Sequence, residues 1–151
     1  MVSWIRMIKD RENEDYYYFN THFAYEDEEI RFREAQILIE QIKNITNTFD
    51  LTSMKRFILS GDYNAMPFEK AINLITEQKV TDLQDTINAI TLEPNVDYGT
   101  FHAFTGLANG TRIDYVFSSK DFELVDYQII KVVRKDGLFP SDHFPIIAKI
   151  K

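Results

Sequence analysis

The 151-residue sequence contains no cysteine, which excludes a disulfide framework and a thiolate metal site. Any metal would be held by carboxylate, amide or imidazole groups, and these favour hard cations such as Mg²⁺ or Mn²⁺. The sequence also lacks an apolar run near the roughly 20 residues that cross a bilayer, and residues 1–10 lack a secretory signal pattern. We therefore expect a soluble protein, with the cytoplasm as the default location.

Basic residues are few. The 17 Lys and Arg are outnumbered by 24 Asp and Glu, for a formal net charge of -7. Because such a field repels polyanions, generic nucleic-acid binding is disfavoured. A local basic strip or a bound divalent cation could still reverse the field at one place.

Hydrophobic residues make up 44% of the chain, which is enough for a real core, and the length is typical of one domain over residues 1–151. Alternating or short apolar segments predict strands at residues 4–8, 16–20, 56–60, 112–118, 123–133 and 144–150. Residues 9–15 are expected to form a hairpin loop, and residues 85–99 a long loop.

Helical spacing of apolar residues predicts a long helix after the second strand. Its apolar positions are Ala35, Leu38, Ile39, Ile42, Ile45 and Phe49, and the acidic residues 26–29 suit its N-terminus. A second helix is predicted from Pro67 to about Gln78. This order predicts an α/β (α+β) fold with a mixed, largely antiparallel sheet and helices on one face.

Four short segments place polar groups at the predicted strand ends, where a rigid sheet can direct side chains into a shared cleft. One such aspartate alone is more often a turn or cap residue, but four in one chain indicate a site. The segments are Asn20-Thr21-His22, Gly61-Asp62-Tyr63-Asn64, Arg112-Ile113-Asp114-Tyr115 and Ser141-Asp142-His143.

In this order the motifs YYYFNTHF, FILSGDYNAMP, GTFHAF, TRIDYVFSS and PSDHFPIIAKI resemble the endonuclease/exonuclease/phosphatase superfamily. The resemblance covers nearly the whole chain from Trp4 to Lys151. Complete members build a four-layer α/β sandwich from two halves, and this sequence resembles only the C-terminal half. The resemblance implies a divalent-metal-dependent hydrolase of phosphoester bonds, acting as a phosphodiesterase, endonuclease or phosphatase, with Mg²⁺ or Mn²⁺ as cofactor.

The resemblance also implies roles for individual residues. Asp62 would orient and deprotonate the attacking water, and His143, held in its tautomer by Asp114, would donate to a phosphate oxygen. Asn64 would contact the phosphate, and His22 would contact the phosphate or assist the leaving group. The implied metal ligands are Asp142, Asp62 and Asn64, and the implied substrate-binding residues are Phe101, His102 and Arg112.

Structural alternatives remain for some of these residues. Asp62 and Asn64 could form an Asx-turn that stabilises the bend after a strand. A pocket wall and simple loop packing are equally good interpretations of Phe101, His102 and Phe104. The aromatic residues 16–19 are expected in the sheet core, because no basic residues interleave with them.

The missing first half normally brings an asparagine and the glutamate that is the principal metal ligand. Its absence predicts weak metal binding and an exposed apolar sheet face. We therefore expect a homodimer, or a separate chain that supplies the missing half. The alternative is a catalytically silent half-domain that serves binding or assembly.

Overall fold

The fold is described by a computed structural model, which covers residues 2–9, 14–51, 56–77 and 80–151. Two helices and seven strands are present in this part of the chain. The helices are α1 (Glu28–Thr46) and α2 (Lys70–Thr76). The strands are β1 (Val2–Lys9), β2 (Glu14–His22), β3 (Phe57–Asp62), β4 (Gln84–Asp85), β5 (Asp114–Ser118), β6 (Leu124–Ile129) and β7 (Ile146–Ile150).

Five strands form one mixed sheet in the order β1-β2-β3-β5-β4. β2 and β3 are parallel, because α1 carries the chain back between them, and the other pairs are antiparallel. The predicted mixed, largely antiparallel sheet is thereby confirmed. The prediction that all strands join one sheet, however, was wrong. Among the described strands, β6 and β7 pair only with each other, and they pack beside β5 and the segment after β4.

The long predicted helix is α1, and its boundaries follow from its caps. The Asp27 side chain accepts hydrogen bonds from the backbone of Glu29 and Ile30 at the N-terminus. Asn47 adopts a left-handed conformation with φ 52° and ends the helix. Phe49, predicted to lie on the helix, therefore falls beyond its end and is 92% exposed.

The second helix is shorter than predicted. Pro67 lies in the turn that precedes α2 instead of in its first turn, and Gln78 lies outside the described residues. The predicted loop at residues 85–99 contains order that its sequence did not indicate: Asp85 ends β4 and caps a 3-10 helix, Thr86–Ala89. Neither described helix is long and apolar enough to cross a bilayer.

Both helices pack on the same face of the five-stranded sheet. Alternation along the strands sends one set of side chains into this core: Phe19, Phe57, Leu59, Tyr115 and Phe117 from the sheet, against Ala35, Leu38, Ile42, Ala71 and Ile75 from the helices. Burial of this apolar surface stabilises the fold by about 25 cal/mol per Å².

The opposite face of the sheet, here called the open face, carries the alternate residues of each strand. Strand pairing aligns Ile5 with Tyr18 and Tyr18 with Ile58, and Met7 and Val116 lie on the same face. Ile5 and Met7 are 51% and 44% exposed. No described helix packs on this face.

Candidate active site

Three neighbouring strands deliver their polar residues to one edge of the sheet. β2 and β3 run parallel and end at His22 and Asp62, while the antiparallel β5 begins at Asp114. The register pairs His22 with Asp62 and Asp62 with Asp114. Because paired residues point to the same side of a sheet, the three side chains lie side by side at the edge of the open face.

His143 completes this row from the segment before β7. Its Nδ1 donates to Asp114 Oδ2 at 2.8 Å, and its Nε2 lies 3.8 Å from Asp62 Oδ2. Nε2 of His22 approaches the same Asp62 oxygen at 3.4 Å from the other side. Asp62 therefore lies between two imidazoles, one of which is oriented by a carboxylate.

Asn64 connects the turn after β3 to His22. Its backbone N–H donates to Asp62 Oδ1 at 2.8 Å, so the Asx-turn considered from the sequence is present within the site. Its side-chain amide donates to Phe23 O at 2.9 Å and to His22 Nε2 at 3.2 Å. Since both amide protons are engaged, a phosphate contact by this group would have to replace the bond to His22.

The electrostatics match these contacts. Burial raises the pKa of Asp62; the N–H of Asn64 opposes this, and the charge of Asp114 adds to it. Burial lowers the pKa of His143, but the hydrogen bond and charge of Asp114 raise it more, so the net shift is upward. Asp62 therefore binds a proton more tightly than an aspartate in water. His143 stays protonated to a higher pH than a histidine in water.

A cavity of about 830 Å³ lies over this row. Seven of the residues predicted for the site line it: His22, Asp62, Asn64, Phe101, Asp114, Asp142 and His143. The rings of Phe101 and His143 meet edge to face at 5.0 Å. None of the described residues that line this cavity is lysine or arginine.

The structure does not bring His102 and Arg112 into this cavity. His102 is 2% exposed and stacks on Phe144 at 3.9 Å, so it packs the loop beneath the site. Arg112 is 8% exposed; it pairs with Asp85 at 2.7 Å and lies over the Tyr115 ring. A substrate-binding role for these two residues finds no support in their positions, because both are buried and neither lines the cavity.

The chemistry of the donor set fits a hard cation. Ligand atoms of Asp62, Asp114 and His143 all lie within 4.8 Å of one another, and two of the three are carboxylate oxygens. Two carboxylates this close repel each other, so a bound cation would relieve a strain that the fold already contains. Asp142 lines the same cavity but lies outside this group of described ligand atoms.

Five further residues line the cavity: Asn20, Thr21, Tyr25, Gly61 and Ile113. Asn20 donates to Ser60 Oγ at 2.9 Å beside the carboxylates. Tyr25 is 76% exposed at the rim. Asn20 could have been inferred from the strand period, since it lies two residues before His22 and so on the same face. Nothing in the sequence indicated Tyr25.

Comparisons with known proteins show which family and which folds the chain resembles. The model of the Endonuclease/Exonuclease/phosphatase family matches residues 35–143. Solved structures with a similar fold include a family protein and a mannosyl-6-phosphatase, both from Bacteroides thetaiotaomicron (23% identity each, TM-scores 0.79 and 0.76), and the catalytic domain of human Nocturnin with bound sulfate (18% identity, TM-score 0.75). No curated protein matched the sequence.

Each of these similarities covers 99% of this chain but only 55%, 56% and 52% of the three solved chains. The chain thus spans about half the length of the structures it resembles. The family match extends over more than two thirds of the sequence and includes the C-terminal part of α1, β3, β5 and the row of site residues from Asp62 to His143. The chain belongs to the endonuclease/exonuclease/phosphatase family, whose members are phosphoester hydrolases.

Proposed function

We propose that this chain hydrolyses a phosphoester bond with the aid of a divalent cation. The observation that carries the proposal is the row His22, Asp62, Asp114 and His143, in which a carboxylate of raised pKa lies between two imidazoles. Phosphoester hydrolysis needs a base for the attacking water and positive charge near the phosphate oxygens. The row contains groups suited to both tasks.

Asp62 is the proposed base. Its Oδ1 is fixed by the N–H of Asn64, which leaves Oδ2, the oxygen facing both histidines, to accept a proton from water. His143 is the proposed donor to a phosphate oxygen. Its Nδ1–H is held by Asp114, so Nε2 is the nitrogen that faces the cavity centre.

Asp62 and Asp114 are the residues we propose to hold the cation, with Asp142 and the Asn64 side chain within the same cavity. A bound Mg²⁺ or Mn²⁺ would offset negative charge on the phosphate oxygens. The described cluster offers the cation two carboxylates and one imidazole, a small donor set for such an ion, so we propose a weak metal affinity.

The cavity lining favours a small phosphoester over a nucleic acid. Nucleic-acid binding depends on Lys and Arg neutralising successive phosphates. The described lining contains three carboxylates and no such cation, while Tyr25 and Phe101 offer aromatic surface to a neutral leaving group. These features support a substrate with one phosphoester group.

We also propose that the open face is covered by a second copy of this chain or by a separate chain that supplies the other half of the fold. Its partly exposed Ile5 and Met7, next to Tyr18 and Ile58, form an apolar surface of the kind that proteins bury against partners. Sedimentation velocity over a range of concentrations tests the dimer. A stable monomer that binds no partner would count against this part of the proposal.

The test of the activity is hydrolysis of p-nitrophenyl phosphate and bis-p-nitrophenyl phosphate by the purified chain in Mg²⁺ or Mn²⁺, with EDTA as the metal-free control. Asp62→Ala should abolish the activity. Asp126→Asn, which changes a carboxylate in β6 away from the cavity, should leave it intact.

Activity that persists in Asp62→Ala would contradict the assigned base. A folded, metal-saturated wild type with no activity on either substrate would contradict the proposed function, and would favour the silent half-domain. Cleavage of single-stranded DNA at a rate above that of both small substrates would overturn the substrate class alone.

A further inference from the structure

A fully buried threonine joins the two segments that carry Asp114 and His143. Thr100 is 0% exposed and lies outside the cavity lining, between the start of β5 and the segment before β7. Its hydroxyl oxygen accepts the backbone N–H groups of Ile113 at 3.1 Å and Asp114 at 3.2 Å. A single side-chain oxygen thus fixes the backbone of the carboxylate that orients His143.

The main chain of the same residue holds the other segment. Thr100 O accepts the N–H of Phe144 at 2.7 Å, directly after His143. The next two residues continue the contact, since Phe101 forms a bridge with His143 and the N–H of His102 donates to Asp142 O at 2.9 Å. Asp114 and His143 are 29 residues apart in sequence, and Thr100 is bonded to the backbone of both segments.

We propose that Thr100 is a positioning residue for the reaction: it sets the distance between Asp114 and His143 by holding both backbones, without touching substrate. The inference rests on the proposed hydrolase function. Catalytic rates depend steeply on such placement, and a displacement of about 1 Å can cost roughly 100-fold. Valine has the shape of threonine but no hydroxyl, so Thr100→Val removes the two hydrogen bonds and little else.

The chain offers a matched control in Thr86. It is also 0% exposed, and its hydroxyl donates to Val116 O at 2.8 Å, so it binds the same strand two residues beyond Asp114. Thr86→Val therefore removes a buried threonine hydroxyl that bonds to β5, without freeing the Asp114 N–H. A purely structural role for Thr100 predicts that the two variants lose stability and activity in the same proportion.

The experiment compares wild type, Thr100→Val, Thr100→Ser and Thr86→Val at a temperature at which circular dichroism shows all four to be folded. We expect Thr100→Val to lower kcat by about 10- to 100-fold with KM changed by less than about 3-fold, because placement, not binding, is lost. Thr100→Ser should recover kcat to within about 3-fold of wild type, and Thr86→Val should stay within the same margin. Equal kcat losses in the two valine variants, or no recovery by serine, would overturn the proposal.

A second measurement separates this inference from the hydrolase proposal, since it needs no activity. Amide hydrogen exchange by NMR should accelerate at Ile113 and Asp114 in Thr100→Val, and also at Phe144, whose acceptor is the retained backbone carbonyl of residue 100. Acceleration at Phe144 reports that the two segments have come apart. Unchanged exchange at Phe144 would refute the positioning role even in an inactive protein. Should Thr100→Val fail to fold, Thr100→Cys keeps a weak acceptor at the same place and serves both measurements.

Discussion

Replacing Asp62 with asparagine should lower activity and raise stability. In the absence of a cation, Asp62 is held beside Asp114, and its pKa is raised by burial and by that neighbouring charge. Asparagine has nearly the same shape and can still accept the N–H of Asn64 through its carbonyl oxygen. The Asp62→Asn variant thus loses both the proposed catalytic base and the charge repulsion between residue 62 and Asp114.

The size of the gain follows from the geometry. Two carboxylate oxygens at the 4.8 Å limit of the cluster repel by about 0.9 kcal/mol at a dielectric constant of about 80 and by about 3.5 kcal/mol at about 20. Attraction to protonated His143 offsets part of this. We expect a net gain of about 1 kcal/mol, and a rise in Tm of roughly 2–4 °C for a chain of this size.

The pH dependence of folding stability predicts the same direction of change. The folded pKa of Asp62 lies above its unfolded value, so the folded state binds more protons between the two values. Stability should therefore fall as pH rises through this window, and Asp62→Asn should remove that part of the slope.

The assay is thermal unfolding of both proteins at neutral pH in EDTA, repeated with Mg²⁺. We expect Asp62→Asn to unfold at the higher temperature in EDTA, while Mg²⁺ raises the Tm of the wild type more than that of the variant. A variant less stable than the wild type in EDTA would refute the argument, because it would show that Asp62 contributes more through its contacts than it costs through its charge.

Three other expectations test the site and its support. Activity should fall as pH rises through the pKa of His143, and Asp114→Asn should move this limb of the pH–rate profile to lower pH, because the raising partner is lost. Gly61→Ala should destabilise the fold by about 3 kcal/mol or more in urea melts, since φ is +149° and an added Cβ would lie 1.9 Å from Thr21 O. Glu69→Ala should cost about 3–5 kcal/mol in the same assay, because it leaves the buried Arg31, now paired at 2.6 Å, without a counter-charge.

The parts of the fold that the sequence predicted best are those set by local periodicity. The stripe from Ala35 to Ile42 identified α1, and the β-prone aromatic residues at 16–20 identified β2. The site was predictable for a related reason. His22, Asp62 and Asp114 each lie where an apolar strand begins or ends, so their meeting at one sheet edge needed only the strand order.

The structure departs from the local sequence pattern where contacts between distant residues override it. Arg112 belongs to a motif at a strand start, but its position was decided by Asp85, 27 residues away in sequence, which turns the guanidinium inward. The segment after Asp85 was predicted as loop since it has no period, yet the Asp85 side chain caps the short helix that follows. Thr100 had no distinguishing signal, because its function depends on two segments that only the fold brings together.

The site and the open face depend differently on the rest of the fold. The hydrogen bonds that align Asp62, Asp114 and His143 come from Asn64 in the turn after β3, from the buried Thr100, and from the pairing of Asp114 with His143 itself. The row therefore needs no residue from a partner to keep its geometry. On the open face, by contrast, Ile5 and Met7 are exposed and no described helix packs there, so this face is where the proposed partner would bind. We accordingly expect a partner to raise stability and metal affinity, while the hydrogen bond between Asp114 and His143 persists in its absence.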